Sequence, residues 1–198
     1  MNHDKTFPTL GVDYGTHGNE NREDNDFYAT DPNAIDSLLM FEEFNHNIWE
    51  CACGNGVLSE RLKKYGYNVT SSDIINRGYS KTILKDFLTT EKPVNCDIIT
   101  NPPYKYAKEF VLKAHQLTNG KVAMFLKIQF LETQGRYEEV FKNIPPSRVY
   151  VFSKRMKCYP NGDDNKESSA ICYCWYVWDK TYIGEPIIRW IPPEWEEN

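Results

Sequence analysis

Residues 48–73 constrain the fold more than any other stretch of the chain. Ile48-Trp49-Glu50-Cys51 is a short apolar strand, and Ala52-Cys53-Gly54-Asn55-Gly56 is a glycine turn. Val57-Leu58-Ser59-Glu60-Arg61-Leu62 starts a helix directly after the turn, and Gly66 ends it. Tyr67-Asn68-Val69-Thr70-Ser71-Ser72 is a second strand, closed by Asp73. A strand, a glycine turn, a helix and a strand closing on an acid form a βαβ unit, which belongs to an open α/β sheet.

The rest of the chain repeats the alternation. Phe27 to Pro32 reads as a helix entrance, with Thr30 or Asp31 capping and Ile35, Leu38, Leu39 and Phe41 on the apolar face. Thr82-Ile83-Leu84-Lys85 leads to Asp86-Phe87-Leu88, and Cys96 to Thr100 is a fourth strand. Residues 107–114 have helical spacing, with Gly120 as the stop, and Val122 to Leu126 is a buried strand. Residues 132–143 predict a helix. Arg148 to Phe152 and Ala170 to Trp178, around a loop rich in Gly, Asn and Asp, predict an antiparallel hairpin. The expected fold is α/β and Rossmann-like: a mostly parallel sheet with helices on both faces and a C-terminal antiparallel hairpin. Residues 1–26, without periodicity, read as a flexible arm, and 27–198 as a single domain.

Open sheets of this kind bind ligands beyond the carboxyl ends of their strands. Glu50, Asp73, Asp86-Phe87 and Asn101 each fall at such an end. Asp73 lies 23 residues after Glu50, where an acid can grip both hydroxyls of a ribose. The turn lacks the third glycine of Gly-x-Gly-x-x-Gly, because Ser59 stands there, so a pyrophosphate site is disfavoured. An acid at the first strand end suits a cationic or amino-bearing ligand better. S-adenosylmethionine meets these demands, with Asp86 for its adenine amino group and Phe87 against the adenine ring. Each residue also has a structural role open to it: Glu50 beside a helix dipole, Asp73 as a cap, Phe87 in the core.

Asn101-Pro102-Pro103-Tyr104 closes the fourth strand. Two prolines cannot continue a hydrogen-bond ladder and hold the backbone stiff. Asn101 and the Pro102 carbonyl can then accept both hydrogens of a planar amine, with Tyr104 stacked on the ring that carries it. A proline-rigidified turn with a chance tyrosine is the other reading.

The net charge of −5 argues mildly against a general nucleic-acid binder, but it is unevenly spread. Residues 101–157 hold 11 Lys and Arg against 4 Asp and Glu, while residues 1–100 hold 9 against 16. The basic stretch suits a polyanion if folding gathers it on one face. No apolar run approaches the roughly 20 residues of a membrane span, and a polar N-terminus without an apolar core points to the cytoplasm. Six cysteines without Cys-x-x-Cys spacing, and four histidines without ligand spacing, predict neither a zinc site nor another metal.

Glu50-Cys51-Ala52-Cys53-Gly54-Asn55-Gly56, Tyr28-Ala29-Thr30-Asp31-Pro32, Asp86-Phe87 and Asn101 to Tyr104 together resemble the class I S-adenosylmethionine-dependent methyltransferases, within them the DNA enzymes that methylate amines. Cys51 replaces the family's proline, and Asp31 is interposed before Pro32. The resemblance covers roughly residues 27–180. It implies catalytic residues Asn101, Pro102, Pro103 and Tyr104. The cofactor-binding set it implies is Tyr28, Thr30, Glu50, Ala52, Gly54, Asp73, Ile74, Asp86, Phe87 and Asn101. The chain is similar to small phage- or prophage-encoded N6-adenine methyltransferases without a separate recognition domain, which implies low or short sequence specificity on DNA. A second base-stacking aromatic on the late hairpin is expected, with Tyr159 as candidate. Cytosine N4, RNA and protein amides remain alternative acceptors, and a non-catalytic phage decoy is the rival from another class.

Overall fold

The apolar runs are unbroken because both faces of the sheet are covered. In this computed structural model, residues 28–154, 158–160 and 171–193 are described, with the backbone alone at 28, 29 and 158–160. Strand β1 (Tyr28–Thr30) precedes helix α1 (Asn33–Leu39), β2 (Asn47–Glu50), α2 (Val57–Lys64), β3 (Asn68–Asp73), β4 (Ile83–Leu84) and β5 (Asp97–Thr100). Then follow α3 (Ala107–Leu117), β6 (Val122–Lys127), α4 (Gln134–Arg136), β7 (Arg148–Phe152), β8 (Cys158–Pro160), β9 (Tyr173–Trp178) and β10 (Ile187–Ile191).

Eight strands form one sheet in the order β10-β7-β9-β6-β5-β2-β3-β4. Strands β2 to β6 are mutually parallel, and β9 lies antiparallel between β6 and β7. Alternate residues feed two cores. Ile48, Ile99, Phe125 and Trp175 join α1 and α2 on one face, while Trp49, Ile98, Met124 and Tyr176 join α3 on the other. This is the expected Rossmann-like architecture, hairpin included. Strand order reverses between β2 and β5, the point at which open sheets of this kind form a ligand crevice at the carboxyl ends of their strands.

Local differences from the sequence reading have identifiable causes. Residues 28–30 are a strand because they pair antiparallel with β8, and α1 starts only after Pro32. Asp31 does supply the cap: its Oδ1 accepts from Asn33 N at 2.9 Å. Helix α3 ends at Leu117, with Thr118 as its C-cap. Gly120 serves a close approach, since a Cβ there would lie 2.2 Å from Asp97 Oδ1. Residues 132–143 form the short α4 followed by a π-helical turn at Tyr137–Phe141. Strand β10, parallel to β7, was not expected. Residues 1–26 lie outside the described residues.

Candidate active site

The parallel strands bring the carboxyl ends of β2, β3, β4, β5 and β6 to one edge of the sheet, so Glu50, Asp73, Asp86, Asn101 and Lys127 fall along it. The glycine turn crosses this edge. Gly54 and Gly56 have φ of 53° and 81°, values that L side chains adopt at a cost. Glycine is required twice over at 56, because a Cβ would meet the Tyr79 ring at 2.4 Å. Tyr79 was not singled out from the sequence. Its ring covers the turn, and its hydroxyl donates to Glu60 at 2.5 Å.

Asp73 joins the turn to β3. Its Oδ2 accepts from Gly54 N at 2.8 Å and its Oδ1 from Ile75 N at 3.1 Å. A carboxylate has about four acceptor sites, so two hydroxyls can still be met. Beside it Ile74 is 66 % exposed, an apolar surface at the ligand edge, and Ala52 is half-buried. Asp86 is half-buried and its Oδ1 accepts from Leu88 N at 2.9 Å. These residues fit a nucleoside-bearing ligand: acid for hydroxyls, apolar surface for a ring, glycine backbone for close approach.

Two expected cofactor residues are placed differently. Phe87 is buried in the core, its ring 5.2 Å from Trp49 and 4.8 Å from Phe110, so it offers no face to a ligand ring. Glu50 is 1 % exposed. It accepts from Ser59 Oγ, which lies 2.5 Å from Ser71 Oγ. Ser59 thus replaces the third glycine with a hydroxyl that ties α2 to two strands. Burial pushes the Glu50 carboxyl up to about 8, against the pull of the Ser59 hydroxyl and with Asp73 adding to the rise. Burial thus favours the protonated form, and Ser59 holds the carboxyl inside the fold.

A pH dependence follows. The folded state keeps a proton that the unfolded chain releases near pH 4.5, so the contribution to stability is full below about 4.5 and lost as pH rises towards 8. Glu50→Gln should therefore flatten stability across that window. At pH 8 its Tm should exceed that of the parent by several degrees, at about 2–4 °C per kcal/mol. Thermal melts at pH 5 and pH 8 test this; equal slopes for both proteins would contradict it.

The other side of the crevice is built from β1, β5 and β6. Asn101 Nδ2 donates to Thr30 Oγ1 at 2.6 Å, which turns the amide oxygen to the opposite side. Thr30 is 5 % exposed, and Pro102 is buried, so the start of the tetrapeptide is anchored. Tyr104 opens a 3-10 turn and packs against both cores. Its ring centroid lies 5.7 Å from that of Tyr173 and 4.8 Å from Lys127 Nζ. Lys127 and Tyr173 are register partners across β6 and β9, so one rung of the sheet holds this ring. Their role at the site was invisible in sequence, because antiparallel insertion of β9 creates it. The side chains of Tyr28 and Tyr159 lie outside the described residues.

Among the described residues the basic stretch is divided between the two edges of the sheet. Lys121 and Arg148 sit at the opposite edge on Glu42, Arg136 donates to the Gln129 and Glu132 carbonyls, and Lys108 pairs with Glu139.

No family profile and no curated protein matches the chain. Solved structures do. A proposed RNA methyltransferase from Pyrococcus horikoshii superposes with a TM-score of 0.53 at 17% identity, over 75% of this chain and 81% of its own. A type I restriction-modification methyltransferase subunit from Streptococcus thermophilus gives 0.62 at 12% identity, over 85% of this chain and 48% of its own. The 1,6-didemethyltoxoflavin-N1-methyltransferase of Burkholderia thailandensis, solved with S-adenosylhomocysteine bound, gives 0.50 at 9% identity, over 74% and 75%. At such identities the likeness speaks to architecture alone: the chain shares its fold with these three methyltransferases.

Proposed function

We propose that the chain transfers a methyl group from S-adenosylmethionine to the exocyclic N6 amine of adenine in DNA, with low or short sequence specificity. The observation that carries this reading is Asn101, held by Thr30 at the crevice where the strand order reverses and followed by the Tyr104 ring. The bound S-adenosylhomocysteine of one structural neighbour supports the cofactor, and the restriction-modification subunit supports DNA.

Asp73 would hold the ribose hydroxyls, Ile74 would lie against the adenine ring, Asp86 would face its amino group, and Ala52 and Gly54 would let the ligand approach the turn. When bound, S-adenosylmethionine supplies an electrophilic methyl group on a sulfonium. On the acceptor side the target base leaves the DNA stack, since its amine is out of reach there. Tyr104 stacks on the extruded ring, a contact worth about 1–3 kcal/mol. The Asn101 amide oxygen and the Pro102 carbonyl accept the two amine hydrogens. Those bonds favour a tetrahedral nitrogen over a planar one, so they act on rate as well as on binding. No side chain need take a proton before transfer, because the positive nitrogen sheds its proton readily afterwards.

Labelled S-adenosylmethionine offered with unmethylated DNA, with RNA and with protein tests the reading. Label in DNA supports it, and label in RNA or protein alone overturns it. Asp73→Ala should weaken cofactor binding about 10- to 100-fold, the value of one or two hydrogen bonds to a charged group. Calorimetric titration with S-adenosylhomocysteine measures this; an unchanged Kd would remove Asp73 from the site.

A further inference from the structure

We propose that the cleft beside Tyr104 reads the base that flanks the target adenine, an inference that rests on the DNA reading above. The cleft encloses about 240 Å³. Tyr104, Lys105 and Lys108 line one wall, while Thr133, Arg136 and Glu139 line the other. Tyr104 belongs both to the proposed target site and to this cleft, so a base lodged here is a neighbour of the one on its ring.

The chemistry of the walls selects a base edge over a bare phosphate. A phosphate site gathers cations and N–H or O–H donors, whereas this cleft sets carboxylates among its ammonium groups. Lys108 Nζ lies 2.7 Å from Glu139 and 3.9 Å from Glu109. The Lys108–Glu139 pair is exposed enough that exchanging it for a ligand costs little. Base edges in the major groove offer donors and acceptors side by side. Glu139 can accept from the exocyclic amine of adenine or cytosine, and Lys108, released from it, can donate to an adjoining acceptor.

The second wall is built to hold its shape. Arg136 donates to the carbonyls of Gln129 at 2.8 Å and Glu132 at 3.0 Å, closing the loop before it. Thr133 has φ 88° and ψ 137°, a conformation costly for a β-branched residue, and its Oγ1 accepts from Arg136 N at 3.3 Å. Glu139 then projects from a π-helical turn, a rare element that recurs at functional sites. Strain and an irregular turn within seven residues of one another shape a wall that a plain helix over 132–143 would not provide.

The test uses duplex pools in which the target adenine carries every combination of flanking bases, methylated by the full chain and read by methylation-sensitive sequencing. The parent should favour adenine or cytosine over guanine or thymine at one flanking position by about tenfold or more. Glu139→Gln and Glu139→Ala should reduce that preference to below about threefold, while DNA without the preferred neighbour is methylated at least as well as before. Glu139 is exposed, so both variants should fold, and melting curves check that they do. A parent that methylates DNA with no flanking preference, or variants that keep the parent's preference, would overturn the proposal. Absence of any label in DNA would instead overturn the methyl-transfer reading, and this inference with it.

Discussion

Asn101→Ala should lower methyl transfer by about 10²- to 10³-fold or more, the usual cost of removing one group aligned with a developing transition state. Cofactor affinity should change by less than about threefold, because the amide acts on the acceptor amine. Single-turnover transfer of labelled methyl groups and calorimetry with S-adenosylhomocysteine separate the two effects. Alanine also removes the hydrogen bond to Thr30, so Thr30→Val is the companion: it keeps the shape, loses the acceptor and frees the amide to turn. We expect it to slow transfer by about tenfold, less than Asn101→Ala does. Transfer by Asn101→Ala within tenfold of the parent would refute the assignment of the tetrapeptide. A large loss of cofactor affinity would move Asn101 to the cofactor side of the crevice.

The largest effect on stability is expected at the opposite edge of the sheet. Glu42 is 4 % exposed. It accepts from Arg148 Nε, from Lys121 Nζ at 2.8 Å and from the Tyr150 hydroxyl at 2.8 Å. Arg148 reaches on to Asp179 at 3.0 Å. This network ties the segment after α1 to the starts of β6 and β7 and the end of β9. Breaking such a buried network from one side costs about 3–5 kcal/mol, because Arg148 keeps only Asp179 as a carboxylate partner and the Tyr150 hydroxyl loses its acceptor. Glu42→Ala should therefore lower Tm by roughly 6–20 °C, at about 2–4 °C per kcal/mol. Well below that Tm, methyl transfer should be nearly unchanged, since none of these groups lies at the carboxyl ends of β2 and β5. Burial works to raise the Glu42 carboxyl, but Arg148, Lys121 and Tyr150 more than offset it and hold it below 4.5. Its stabilisation is thus present above about pH 4.5 and lost as pH falls through the lowered value. Parent and variant should converge in Tm in acid; a constant gap down to pH 3 would contradict the role of ionised Glu42.

The parallel half of the sheet was legible because local chemistry specifies it. The glycine turn, the acid at each strand end and the two prolines after β5 all act within a few residues of where they stand. Asp73 and Asn101 accordingly lie where their spacing put them. What the sequence hid depends on contacts between distant segments. Glu50 looks open at a strand end in the sequence, yet in the fold it is buried and accepts from Ser59, which in turn meets Ser71. Phe87 had two readings, and the core prevailed because Trp49 and Phe110 meet it from separate elements. Residues 28–30 carry the local signals of a helix entrance, yet pairing with 158–160 makes them a strand. Of the basic excess in 101–157, Lys121 and Arg148 fall at the opposite edge, because linear charge says nothing of which edge a strand start occupies. Strand β10 lacks a clean alternation, with Ile188 and Trp190 both well exposed, so its pattern gave no core-facing side to find.

The most direct test of the central claim is the identity of the methylated atom. Unmethylated DNA should be incubated with the protein and S-adenosylmethionine, digested to nucleosides and examined by mass spectrometry, with Asn101→Ala in parallel. The account predicts N6-methyladenine in the parent reaction and almost none with the variant. N4-methylcytosine alone, no modified nucleoside at all, or equal N6-methyladenine from both proteins would contradict it.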